Sequence, residues 1–163
     1  MSVLVSKRRL SKYESITFSE EIHDMMIDLA QRNFGIKDVD QIVRSKYAHG
    51  RIKNEDFDYY RTLLNTYKSR VEQTSSLLTA NLRAAHSIYP TSMEEYHRKR
   101  NFHDNGIANC NQLKLALQQV VEIFDVDVNL YARHIKAIDR EIDLIKDWRQ
   151  RCNVEKRYVK GNI

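Results

Sequence analysis

A chain of 163 residues with 27 Lys and Arg against 22 Asp and Glu, 42% apolar residues, four Gly and one Pro suits one compact domain with a real core. So little Gly and Pro argues against the many tight turns of a β-sandwich or barrel, and the remaining composition favours helix, so the expected fold class is all-α. No window approaches the roughly 18 apolar residues of a membrane span, and residues 1–12 lack the apolar stretch of a signal peptide. A cytoplasmic protein is expected, with Cys110 and Cys152 as reduced thiols and no contact with a membrane.

The first segment opens at Ser11, with Glu14 three residues later in capping-box spacing. Phe18, Ile22, Met25, Met26 and Leu29 then recur at spacings of three and four, and Gly35 can supply a left-handed residue to close the element. This predicts a first helix from Lys12 to Asn33. Asp38 to Tyr47, with Val39, Ile42, Val43 and Tyr47 on one side, predicts a short extra helix before the polar turn at His49, Gly50 and Arg51.

Phe57, Tyr60, Leu64, Tyr67, Val71, Thr74, Leu78, Asn81, Ala85 and Ile88 follow a 3-4 alternation over more than four heptads. From Asn54 as N-cap to Tyr89, about 35 residues at 1.5 Å rise give a rod of roughly 50 Å, which must lie against other helices. Pro90 stops it, and Ser92 with Glu95 forms a second capping box. Tyr96, His103, Cys110, Leu113, Leu117, Val120 and Phe124 mark a third helix, and Leu130, Tyr131, Ile135, Ile138, Ile142, Ile145 and Trp148 a fourth. Short connections make these neighbours antiparallel. The expected architecture is an up-down-up-down four-helix bundle with a short extra helix between helices one and two. Residues 1–11 read as a basic arm, 12–150 as the bundle and 151–163 as a basic tail.

The net charge of +5 is unevenly distributed. Residues 1–13 carry Lys7, Arg8, Arg9 and Lys12 with no acid. Residues 149–163 carry Arg149, Arg151, Lys156, Arg157 and Lys160 against Glu155 alone, so the body between the ends is slightly acidic. Basic ends imply either a polyanion such as nucleic acid or solvated tails. Arg98, Lys99 and Arg100 add three cations within one turn of the third helix, and Trp148 and Tyr158 interleave with cations as aromatics do in single-strand binders.

No Gly-rich phosphate loop, Cys-x-x-Cys pair or nucleophile elbow is present, which removes sequence support from most familiar enzyme classes. Glu20 with His23 and Glu94 with His97 have the Glu-x-x-His spacing of di-metal bundles. Ile22 and Tyr96 take the inward positions instead, so both pairs read as solvated, and no metal or cofactor is expected. Asn81 reads either as a buried polar residue that fixes register or as the margin of a wide face. His103 on its apolar stripe reads as a satisfied core histidine, and Gly106 as a site of close approach by a neighbouring helix or chain.

The opening Met-Ser-Val, Ser11-Lys12-Tyr13-Glu14, Thr79 to Arg83, Tyr96 to Arg100, Asn109 to Leu113 and Leu144 to Arg149 stand in the order found in the accessory variability determinant (Avd) family, which the chain resembles over most of its length. Avd proteins are encoded beside diversity-generating retroelements, and residues 38–53 depart from their pattern. The resemblance implies a four-helix bundle, assembly as a basic homopentamer, and a non-enzymatic role. Such a protein would bind the element's reverse transcriptase together with template RNA or cDNA. Charge placement alone assigns the nucleic-acid contacts to Lys7, Arg8, Arg9, Lys12, Arg98, Lys99, Arg100, Arg149, Arg151, Lys156, Arg157 and Lys160. The alternative is a helical-bundle interaction or regulatory module, of phage or ribosomal-RNA intervening-sequence type, that acts through protein contacts without nucleic-acid chemistry.

Overall fold

A computed structural model describes residues 12–161, and side chains from Glu14 onward. Every regular element among the described residues is helical: α1 (Lys12–Gln31), α2 (Val39–Ala48), α3 (Phe57–Ser87), α4 (Met93–Phe124), α5 (Ala132–Arg151) and α6 (Asn153–Gly161), with single 3-10 turns at Asn33–Gly35 and Val128–Tyr131. None of these helices is long and apolar enough to cross a membrane.

Four of the helices close a ring of contacts: α1 packs on α3 and α5, and α4 packs on α3 and α5. Hydrogen bonds between them fix the directions. Ser19 and His23 in α1 meet Thr79 and Ser75 in α3, so the two run antiparallel. Asn81 and Tyr67 in α3 meet Asn109 and Gln119 in α4, and Lys114 and Arg149 pair across the α4–α5 seam with Asp139 and Asp104. The core follows from the 3-4 stripes. Ile22 and Met26, Val71 and Leu78, Leu113 and Val120, and Ile138 and Ile145 are each fully buried, contributing on the order of 1.5–3 kcal/mol apiece.

The predicted boundaries move by a few residues, each for a local reason. The Ser11 cap lies outside the described residues. At its other end α1 stops at Gln31 because Asn33, Phe34 and Gly35 all take left-handed φ, at 52°, 57° and 79°. A phenylalanine there is unusual. It is held because the Phe34 ring is completely buried and its carbonyl accepts a 2.7 Å bond from the Tyr131 hydroxyl, itself buried beside α5. The cap of α3 is Asp56, which accepts from Tyr59 N–H at 3.0 Å, rather than Asn54. Ser92 caps α4 as its spacing predicts, but the Glu95 carboxylate turns back to the Thr91 N–H and hydroxyl, at 2.7 and 2.9 Å, and not to the N–H of Ser92.

The short helix α2 sits on α3, with Asp38 as its N-cap, Val43 buried, Asp40 paired with Arg61 and Arg44 over the Phe57 ring. Its buried Lys46 reaches the Glu122 carbonyl in the last turn of α4 and, at 3.7 Å, Asp125, placing a cation where the helix dipole is negative. Asn81 lies in the α3–α4 seam, donating to Asn109 Oδ1 at 2.8 Å, which makes it a polar crosslink between those helices. Gly106 is a close-approach site: a Cβ there would lie 3.1 Å from Leu82 and 3.4 Å from Ile145.

The largest departure is at the C-terminus. Residues 153–161, read from sequence as part of a basic tail, form helix α6, which folds back on α4 with Val159 buried. Alternating directions bring the start of α1, the end of α3, the start of α4, the end of α5 and α6 to one end of the molecule.

Candidate nucleic-acid interface

That shared end collects the cations the sequence scatters. In residues 12–22, 80–89, 92–104 and 145–161, eleven Lys and Arg stand against eight Asp and Glu. At the other end, residues 33–58 and 122–128, five cations face eight acids, and several are tied in pairs such as Arg61 with Asp40 and Arg51 with Asp125. The molecule is therefore electrically polar along its long axis.

Lys7, Arg8 and Arg9 lie outside the described residues, as does the side chain of Lys12, whose backbone opens α1 at the cationic end. Arg98 is exposed on α4, and Arg157 and Lys160 are exposed on α6. Arg100 is half-buried, with Nη1 3.4 Å from the Tyr96 hydroxyl, and Lys156 stands 6.0 Å above the Tyr96 ring. Tyr96 in turn donates to Asn153 Oδ1 at 3.0 Å, so one buried tyrosine ties α4 to α6 and places cations from both helices side by side.

The remaining cations are already partnered within the fold. Arg149 pairs with Asp104 and Arg151 with Asp147. Lys99 does not stand beside Arg98 and Arg100 as an exposed contact. It points inward, 5% exposed, with Nζ 2.8 and 3.0 Å from the two Glu155 oxygens. Of the cations assigned from charge placement, Arg98, Arg100, Lys156, Arg157 and Lys160 take part in no ion pair, and exposed Lys146 on α5 is likewise in none.

Two exposed aromatics lie at the same end: Tyr158 on α6 and Tyr89 in the α3–α4 connection, 73% and 70% exposed. Cations around exposed rings suit a single strand, with phosphates on the cations and bases stacked on the rings. Tyr89 is missed by a reading of charge alone, although it follows directly on the apolar stripe of α3 and precedes Pro90.

His103 is fully buried, as its stripe position predicts, but it is not satisfied. Neither ring nitrogen has a hydrogen-bond partner among the described residues, and the ring stacks edge-on against Trp148 at 4.4 Å. Burial, then the positive charge of Lys99, drives its pKa down to about 4, so the ring is neutral at physiological pH.

The first Glu-x-x-His pair is engaged otherwise, Glu20 with Arg83 and His23 Nδ1 at 2.8 Å from Ser75 Oγ, while Glu94 and His97 are exposed on α4. Among the described residues no group of three or more metal-ligating side chains comes together. Cys110 and Cys152 are both buried and free. Burial pushes the Cys152 thiol up to about 11, so neither it nor the still more withdrawn Cys110 is a thiolate at neutral pH.

No protein-family model matches the chain, and no curated protein or solved structure matches it.

Proposed function

We propose that this protein is a non-enzymatic nucleic-acid-binding accessory protein, an up-down-up-down four-helix bundle whose cationic end engages RNA or cDNA. The observation that carries this reading is the convergence of Arg98, Arg100, Lys156, Arg157 and Lys160, uncommitted to acids, with exposed Tyr89 and Tyr158 at one end of the molecule. Phosphate contacts from such a surface give affinity without sequence specificity. That behaviour suits a protein that must hold many different copies of a template.

The resemblance to the Avd family supplies the finer proposal: a homopentamer in the cytoplasm that holds the reverse transcriptase of a diversity-generating retroelement on its template RNA during mutagenic cDNA synthesis. Light scattering on the purified chain is expected to give five subunits. Reconstitution with the reverse transcriptase and template RNA tests the role itself. The wild-type protein is expected to raise cDNA yield, and a variant carrying Arg98→Glu, Arg157→Glu and Lys160→Glu to lower it at least tenfold. A yield that does not depend on adding the protein would overturn the retroelement role.

A further inference from the structure

Where α4, α5 and α6 meet, Tyr96, Lys99, Arg100, His103, Arg149 and Cys152 line a narrow, part-open gap too tight to admit a water molecule. Four of the six carry nitrogen donors: Arg149 is paired with Asp104, Arg100 reaches the Tyr96 hydroxyl, and Lys99 is bonded to both oxygens of Glu155 from α6. His103 faces this junction fully buried and without a hydrogen-bond partner among the described residues. A buried polar ring that makes no bond is an expensive arrangement unless another state of the protein satisfies it.

We propose that this junction is a latent binding site for a tetrahedral oxyanion of the phosphate class, held closed by the Glu155 carboxylate standing in for the ligand. Inorganic phosphate carries more charge than a carboxylate, and it has more acceptor oxygens, enough to engage Lys99, Arg100 and one His103 nitrogen together. Its entry requires Glu155, and with it α6, to move away. The hinge is short, since Cys152 alone separates α5 from α6. The nine-residue α6 is also too short to persist as a helix by itself, so its place depends on docking contacts: the Lys99 ion pair, the Tyr96–Asn153 bond and buried Val159. Phosphate binding thus undocks α6 and carries Arg157 and Lys160, already exposed in the docked form, away from Arg98 and Arg100. For a phosphodiester ligand the proposal rests on the nucleic-acid reading above; for free phosphate it stands without it.

Cys152 reports the opening, being buried in the closed form and hinged to α6, while Cys110, buried in the core, serves as an internal standard. The full-length chain is titrated with inorganic phosphate at constant ionic strength against chloride, and alkylation of each cysteine is followed by mass spectrometry. Cys152 labelling is expected to rise several-fold and saturate, with Cys110 unchanged. Glu155→Gln, which weakens the latch and keeps its shape, is expected to label faster without phosphate and to bind phosphate about tenfold more tightly. Lys99→Met, checked for folding by circular dichroism, is expected to lose the response. Labelling that ignores phosphate in both the wild type and Glu155→Gln overturns a free-phosphate site.

A second arm replaces phosphate with a short oligoribonucleotide and measures its binding separately. Opening by the strand but not by free phosphate assigns the site to phosphodiesters. A strand that binds without changing Cys152 labelling, with phosphate also silent, overturns the latch and leaves the nucleic-acid reading standing. Phosphate-driven opening with no strand binding does the reverse.

Discussion

Glu141 and His103 sit fully buried on facing helices, and burial moves their pKa values in opposite directions. The Glu141 carboxyl, bonded through Oε1 to Ser15 Oγ at 2.7 Å, is pushed up to about 8 by burial. The folded state therefore keeps a proton that the unfolded chain releases near its ordinary value of 4.5. Stability falls as pH rises from about 4.5 through about 8 and is level above that. For His103, neutral when folded until about pH 4 and protonated when unfolded below 6.5, stability falls as pH drops through that window. Glu141→Gln is expected to raise the Tm at pH 9 by several degrees and to leave it nearly unchanged at pH 4; an equal shift at both pH values would contradict a proton held on Glu141. Both Glu141 and Lys99 occupy inward 3-4 positions, Glu141 between Ile138 and Ile145 and Lys99 between Tyr96 and His103. Their spacing marked them as interior. Their charge hid it, because a sequence reading assigns Glu and Lys to solvent unless a partner such as Ser15 or Glu155, distant along the chain, is known.

Among the elements, the long stripes of α1, α3, α4 and α5 were legible because each repeats its apolar spacing for many turns, and period identifies a helix face better than any single residue does. The ends were less legible. Asp56 displaced Asn54 as a cap, and Glu95 chose Thr91, because capping depends on backbone angles that several neighbouring polar residues can serve equally well. Helix α6 escaped the reading altogether. Val159 is its buried apolar residue, and the rest of its attachment is polar, through Glu155 and Asn153, which leaves no hydrophobic period to find. Gly106 was legible as an interruption of α4, and its neighbours explain it: a larger side chain must displace Leu82 and Ile145. Gly106→Leu is expected to cost about 1–3 kcal/mol through overpacking, seen as a lower Tm and a lower urea midpoint. Unchanged stability would mean that the three helices are not in close contact there.

At the scale of the whole molecule, the cations of residues 98–100 and those of residues 149–160, far apart in the sequence, come to one end because α4 and α5 run antiparallel and α6 folds back on α4. The sequence reads as two separate basic ends on a slightly acidic body, and neither the convergence of residues 98–100 with 149–160 nor the ion pairs that withdraw Lys99, Arg149 and Arg151 is visible in it. The account's central claim is that the remaining uncommitted cations hold nucleic-acid phosphates, and affinity for a single-stranded RNA measured against salt concentration tests it most directly. Five phosphate contacts predict a slope of log affinity against log salt of about −3.5 for a single strand. The variant Arg98→Glu, Arg157→Glu and Lys160→Glu is expected to flatten the slope by about 2, while Lys37→Glu with Lys53→Glu at the opposite end leaves it unchanged. A salt-independent affinity, or equal losses from charge reversal at the two ends, would contradict the claim.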